Sequence, residues 1–361
     1  MKILFTPDQS VLFVNPPKMK RKNIYNLLIV VVGCLPMVSN AQQEFQFSNS
    51  AFNPYLLNPA AGGLTDVMQF EVASRVQWMG YDGGPSTFMA SGHSQIRFFG
   101  SGTEKVLGEF NIKDEKLFAG PKVTTSKRKH IIGGKAWNDA IGPFGKTSIQ
   151  GSYAYHLPMT KNLNFGAGIG LGYSNFRINE SRVTLYQQDD NTYNEFLGNT
   201  AQQNFMDAQA GLVVYGERLF LGISGTQLLK NELTLNQITT GSHHNRHAFI
   251  IARYKIAISE DADIEPMLVI KTTLNSPASV DFGARYLHNN RSWIGLQYRT
   301  GSTLVFMAGT NLVKNLYINY CYDQAVGKIL SANSGTHELQ LGYYLGKNRN
   351  VDKELKDNSA K

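Results

Sequence analysis

The sequence predicts an all-β protein, a closed antiparallel transmembrane β-barrel of about 14 strands. Three observations carry that prediction. After Ala41 no apolar run approaches the roughly 20 residues of a membrane helix. Segments of roughly ten residues with alternating polarity recur instead, the length of a tilted strand crossing the hydrocarbon. The connections between them alternate short and long, as turns on one membrane face and loops on the other do.

Composition agrees with this. The 361 residues are 42% hydrophobic and only 17% charged, a low charge for a soluble domain, although a soluble β-sandwich is the alternative. The formal charge of +8 falls to about +4 once residues 1–41, with five basic groups and one acid, are set aside. So small a balance gives no argument for nucleic acid. Cys34 and Cys321 form no disulfide framework and no cysteine metal site if Cys34 leaves with a leader.

That leader comes first in the chain. Lys18-Met19-Lys20-Arg21-Lys22 is a basic n-region, 24–32 an apolar core, and Ser39-Asn40-Ala41 a small-x-small cleavage site. Residues 1–41 therefore read as a cleaved signal peptide, with Met19 as an alternative start. A rival reading takes Val31-Val32-Gly33-Cys34 as a lipoprotein box with a lipidated Cys34. Both readings export the protein.

A lead, 42–64, follows. Its Phe52-Asn53-Pro54 and Asn58-Pro59 steps force extended or turn backbone, because each proline ring excludes helix at the asparagine before it. We expect this lead at or inside the periplasmic mouth of the barrel, partly filling the lumen. Then Met68, Phe70, Val72, Val76 and Trp78 alternate with Gln69, Glu71, Ala73, Arg75 and Gln77, a strand with one apolar and one polar face. Asp82-Gly83-Gly84-Pro85 turns the chain tightly into a second strand ending at Arg97.

The fourteen segments are 66–78, 86–97, 130–137, 147–157, 163–176, 205–215, 218–227, 246–258, 263–272, 278–287, 292–299, 302–310, 315–323 and 336–345. The clearest is 163–173, apolar at every odd position and Asn or Gly at every even one. Glycines on an inner face relieve crowding, while the outer residues meet lipid. One connection, 98–129, is long and Lys-rich yet falls on the short-turn side. We read it as a periplasmic excursion rather than a hidden extra strand. Residues 346–361 read as a disordered, charged periplasmic tail.

Aromatic residues such as Trp78, Tyr173, Tyr254, Tyr286, Tyr320 and Tyr343 supply interfacial girdles on the outer faces. Charges of both signs, Glu71, Arg75, Arg97, Arg253, Asp281, Arg285, Arg299, Asp323 and Glu338, fall on inner faces, where they can pair. Nothing in the chain makes a case for catalysis. His93 and His156 lie near Ser91 and Ser152 on inner faces, but no orienting acid is evident. His243-His244-Asn245-Arg246-His247 borders an outer loop and reads as solvated, not as a metal site. The glycine runs lack the Lys-Ser/Thr ending of a phosphate loop, so no cofactor is expected. Lys127-Arg128-Lys129-His130 reads as a solvated turn, with a protein-docking patch as the alternative.

Several motifs recur in order: Gln46-Phe47-Ser48, Phe52-Asn53-Pro54, Asn58-Pro59-Ala60, Arg75-x-Gln77-Trp78-x-Gly80, Gly83-x-Pro85-x-Thr87, Asn138-Asp139-x-Ile141-Gly142-Pro143, Trp293-Ile294-Gly295-Leu296-x-Tyr298-Arg299 and Gly335-x-His337-Glu338. Together they resemble the PorP/SprF family of outer-membrane proteins of the type IX secretion system and its gliding machinery. Glu44-Phe45 departs from the Asp-Pro usual before Gln-Phe-Ser, and the connection Gly100–Arg128 is longer than the turn expected there.

The resemblance implies a non-enzymatic barrel in the outer membrane, in contact with its lipid. Its implied partners are periplasmic ring or peptidoglycan-binding proteins on one side and an exported adhesin or other cargo on the other. A porin or small-solute transporter is the runner-up. The residues expected at partner or lumen contacts are Phe52, Asn53, Pro54, Asn58, Pro59, Arg75, Trp78, Asp82, Pro85, Arg97, Lys127, Arg128, Lys129, Arg299 and Glu338.

Overall fold

The computed structural model describes residues 47–96, 109–110, 123, 125, 128–183, 202–229, 232–235, 238–243, 245–273, 276–313, 315–326, 334–345 and 347–348. Among them are fourteen barrel strands: β1 Met68–Val76, β2 Ser86–Ile96, β3 Lys129–Ile141, β4 Phe144–Pro158, β5 Asn164–Ile178, β6 Gln202–Tyr215 and β7 Leu219–Thr226, followed by β8 His247–Tyr254, β9 Ala262–Thr273, β10 Ser276–His288, β11 Ser292–Arg299, β12 Thr303–Val313, β13 Leu316–Ala325 and β14 Thr336–Leu345. Each pairs antiparallel with the next. β1 pairs with β14 from Met68↔Leu345 to Val76↔His337, so the sheet is a closed barrel with no free edge. The end where β1 begins is called proximal below, and the opposite end distal.

The alternation read from sequence becomes a two-faced wall. In β5, Asn164, Gly166, Gly168 and Gly170 are buried toward the lumen while Ile169, Leu171 and Tyr173 are exposed outward. Outward apolar residues recur on the other strands, among them Ile149, Leu221, Ile250, Leu296 and Phe306, with Tyr254, Tyr286, Tyr320 and Tyr343 among them. An apolar outer band with aromatic rings is what a lipid-facing barrel wall needs. Among the described residues no helix is long and apolar enough to cross a membrane.

Four local features differ from the sequence expectation. Residues 138–146 are not a loop. β3 and β4 run on to a two-residue turn at Gly142-Pro143, where Gly142 adopts φ +54°. Their polar side chains are satisfied across the strands, Asn138 Nδ2 donating to Thr147 Oγ1 at 2.7 Å and Thr87 Oγ1 to Asp139 Oδ1 at 2.5 Å. The outer loop 228–245 carries a hairpin of its own, Glu232–Leu235 with Ile238–His243. The excursion contributes Glu109–Phe110 to a short parallel pairing with Lys347–Asn348, so the start of the tail is not structureless. Lys129 belongs to β3 and is fully buried, not part of a solvated turn.

Candidate functional site: the occupied lumen

The lead folds into three short 3₁₀ turns, Ser48–Ala51, Pro54–Leu56 and Pro59–Ala61. The two Asn-Pro steps explain the last two. Asn53 and Asn58 stay out of helical geometry, and each proline fills the first helical position, where a missing N–H costs nothing. Almost every residue from Phe47 to Ala61 is buried. Their partners lie on opposite walls of the barrel, so the lead crosses the lumen.

On one wall Ser48 sits in an ion cluster drawn from the distal halves of β1, β9, β10, β11, β13 and β14. Arg75 Nη2 contacts Asp323 Oδ2 at 2.8 Å, and its Nη1 contacts Glu338 Oε2 at 3.0 Å. Arg299 bridges Asp323 at 3.0 Å and Asp281 at 3.2 Å, and Lys271 adds 2.8 Å to Asp281. The three cations and three carboxylates balance. Ser48 is inserted among them: its hydroxyl receives Arg75 Nη1 at 2.9 Å and donates to Asp323, while its backbone N–H donates to Glu338 at 2.6 Å. One residue further on, Asn49 donates to Gln340 Oε1 at 2.5 Å.

On the opposite wall Asn58 is completely buried between β6 and β7. Its Nδ2 donates to the carbonyls of Leu212 and Ile223, each at 3.1 Å, and its Oδ1 accepts the Ala60 N–H at 2.9 Å. Ser224 Oγ donates to Leu57 O at 2.8 Å and Lys135 Nζ to Leu56 O at 2.7 Å. Between the walls, Tyr55 OH meets Ser152 Oγ at 2.7 Å, and burial pushes the Tyr55 phenol up to about 12 against that hydrogen bond. Phe52 lies under the Arg285 guanidinium, 3.9 Å from its ring centroid, and tilts against Trp293.

The inner glycines make room for this. A Cβ on Gly168 would lie 2.6 Å from Ala60 N, and one on Gly211 would collide with Asn58 Oδ1. Where the lead descends to β1 it is clasped again. Lys129 Nζ contacts Asp66 and Gly63 O, each at 3.1 Å, and His93 Nδ1 accepts Gly63 N–H at 3.1 Å. His156 holds Ala60 O through Nε2 and Tyr215 OH through Nδ1, both at 2.9 Å. The two histidines singled out beside Ser91 and Ser152 thus face the lead.

The remaining expected contact residues divide. Asn53 Nδ2 donates to Glu71, and Pro54 and Pro59 are buried in the lead. Trp78, exposed and at φ +54°, and exposed Asp82 lie in the distal β1–β2 turn, where Pro85 is buried and its carbonyl accepts Gln77 N–H at 2.8 Å. Arg128 is exposed beside buried Lys129, and Arg97 and Lys127 lie outside the described residues. The histidine cluster splits: His243 ends the loop hairpin, His244 is outside the described residues, and His247 is buried against Gln227. Sequence reasoning missed Ser48, Asn49, Tyr55, Lys135, Glu265 and Lys271 as lumen groups. Strand parity would have found Lys135, which is in step with inward Ile131 and Gly133.

A 14-stranded barrel with its own N-terminal lead docked inside narrows the choice of family, and the sequence match decides it. The profile described as type IX secretion system membrane protein PorP/SprF matches residues 39–343. The chain belongs to the PorP/SprF family. That membership and the barrel place it in the outer membrane. No curated protein sequence matches the chain. Solved structures resemble the PorP/SprF barrel only distantly. The Ralstonia pickettii toluene transporter TbuX is 10% identical with TM-score 0.46, covering 82% of this chain and 93% of its own. The CymD monoaromatic hydrocarbon channel gives 9%, 0.45, 84% and 93%, and Acinetobacter baumannii Omp33 gives 8%, 0.39, 78% and 99%. Likeness at that level says nothing of what a PorP/SprF barrel carries.

Proposed function

We propose that this PorP/SprF protein works as a membrane-fixed anchor in type IX secretion and gliding, not as an open pore and not as an enzyme. The observation that supports this best is the lead, which runs from the ion cluster at Ser48 to Asn58 on the far wall and leaves the lumen occupied. In this reading the signal peptide is cleaved after Ala41 and the proximal end faces the periplasm. The 98–129 excursion and the tail meet ring or peptidoglycan-associated proteins there, while the lead stays docked in the lumen. The distal loops 177–204, 228–245 and 324–335 hold an exported adhesin or other cargo. An anchor needs a rigid wall with different surfaces at its two ends; a porin needs continuous water.

The test is affinity capture from cross-linked envelopes, paired with planar-bilayer recordings of the purified protein. Recovery of periplasmic ring components or a large surface adhesin, with silent bilayers, is the expected result. Steady single-channel conductance with neither partner recovered would overturn it in favour of a porin.

A further inference from the structure

Beneath the lead, at the proximal mouth, a cavity of about 170 Å³ separates the lead from the wall formed by β10 to β14 and β1. It is smaller than the roughly 300–1,000 Å³ of sites for drug-sized molecules, and suits the end of one side chain. Two of its lining groups lack what their chemistry asks for. Glu71 is buried, and its described partners are neutral donors, Asn53 Nδ2 and Tyr317 OH, the latter at 2.6 Å. The other buried carboxylates of the lumen, Glu265, Asp281, Asp323 and Glu338, each touch a lysine or arginine. Asn49 is 1% exposed, and its Oδ1 has no hydrogen-bond partner.

A carboxylate without a cation and a free amide oxygen on one cavity both call for a charged donor. The walls suit one as well, since Tyr317 and Tyr344 line the same space and aromatic faces attract cations. Arg285 and Arg291 also line it. Arg285 does not serve Glu71: its Nε and Nη2 are both 2.7 Å from Glu265 Oε2, and its guanidinium covers Phe52. Asn290 and Arg291, in the β10–β11 turn, form part of the rim, so the cavity opens proximally.

We propose that this vestibule is a binding site for a lysine or arginine side chain of a protein docked at the proximal end. The partner side of the statement rests on the anchor reading; the chemistry of the cavity does not. The test has two arms. Calorimetric titration of the purified protein with n-butylammonium and n-propylguanidinium chloride should give saturable binding. Glu71→Gln, which keeps the shape of the side chain and its acceptor for Asn53, should weaken it at least tenfold. Tetramethylammonium, which has no N–H for Asn49, should bind far more weakly. Absent binding, or equal binding in Glu71→Gln, overturns the site whatever the protein does in the cell.

In the second arm a photo-crosslinking residue replaces Asn290 at the rim in the native envelope. An adduct on a lysine- or arginine-bearing segment that disappears in Glu71→Gln supports the protein source. An adduct indifferent to Glu71→Gln, with amine binding intact, overturns that source and assigns the cavity to a free amine. Capture of ring components elsewhere on the proximal end would then leave the anchor reading standing without the vestibule.

Discussion

Asn58 is where the lead can be loosened with least damage to the wall. Asn58→Ala removes three hydrogen bonds in a fully buried site: the Ala60 N–H to Oδ1, and Nδ2 to the carbonyls of Leu212 and Ile223. Leaving the Ala60 N–H without a partner costs about 1–3 kcal/mol, and each lost bond to a strand carbonyl about 0.5–1.5 kcal/mol. A central total of about 4 kcal/mol shifts the balance between docked and undocked lead by about 1,000-fold. The strands themselves stay paired, because Leu212↔Ile223 is held by the sheet ladder. Planar-bilayer recordings should therefore show openings at least tenfold more often than in the parent protein. Protease added from the proximal side should cut the lead faster. A variant as silent and as protected as the parent would refute the view that the lead, held by Asn58, keeps the lumen closed.

Other changes probe the same contacts from different sides. Gly168→Val should displace the lead, because even its Cβ would lie 2.6 Å from Ala60 N, whereas Ala167→Val on the outer face should be neutral in the same recordings. Arg75→Met takes the cation from Glu338 and one of two from Asp323. Breaking a buried pair costs about 3–5 kcal/mol, so the heat-modified gel band should appear at lower temperature, and adding Glu338→Gln should restore part of the loss. Tyr55 gives a pH test. Burial raises its phenol from the ordinary value near 10.0 to about 12, so its contribution to docking is full below about 10 and is lost as pH rises to 12. Lead protection against protease should weaken through that window in the parent and not step there in Tyr55→Phe.

The strand pattern was legible because a lipid-facing wall demands strict alternation. Ile169, Leu171 and Tyr173 point out and Gly166, Gly168 and Gly170 point in, as the odd and even positions of 163–173 require. Strand ends were less legible. Beyond the apolar belt the strands continue on polar residues such as Asn138, Asp139 and Thr147, and nothing in alternation separates a polar strand from a polar loop. The lead was legible as a non-helical segment, since Pro54 and Pro59 fix the backbone locally. Its path across the lumen was not, because Ser48 meets Glu338 and Asp323 at separations of 290 and 275 residues, which no local pattern encodes. Lys129 was misread for a related reason. A basic run beside a long connection has the composition of a solvated turn, whereas Asp66 and the carbonyls of Gly63 and Leu64, brought in by the lead, draw that lysine inside.

The glycines and the charges then fit one design. Glycines in strands weaken packing unless another backbone must approach closely, and here the approaching backbone is Pro59–Ala61. Charges lining an open pore keep their water. Those of the Arg75–Lys271 cluster instead pair with one another and close on a serine hydroxyl and two backbone N–H groups of the lead, Ser48 and Asn49, at 2.6 and 3.2 Å from Glu338. Such a network contributes little net stability, because both ions lose hydration, but it fixes geometry and leaves a broken half uncompensated. The lead is therefore held by position more than by sheer affinity. Loss of Ser48 should cost less than loss of Arg75: Ser48→Ala removes a hydroxyl among ions that still pair, whereas Arg75→Met strands Glu338. Equal destabilisation by the two, measured as the temperature of the gel-mobility shift, would mean that the lead and not the ion network organises the lumen.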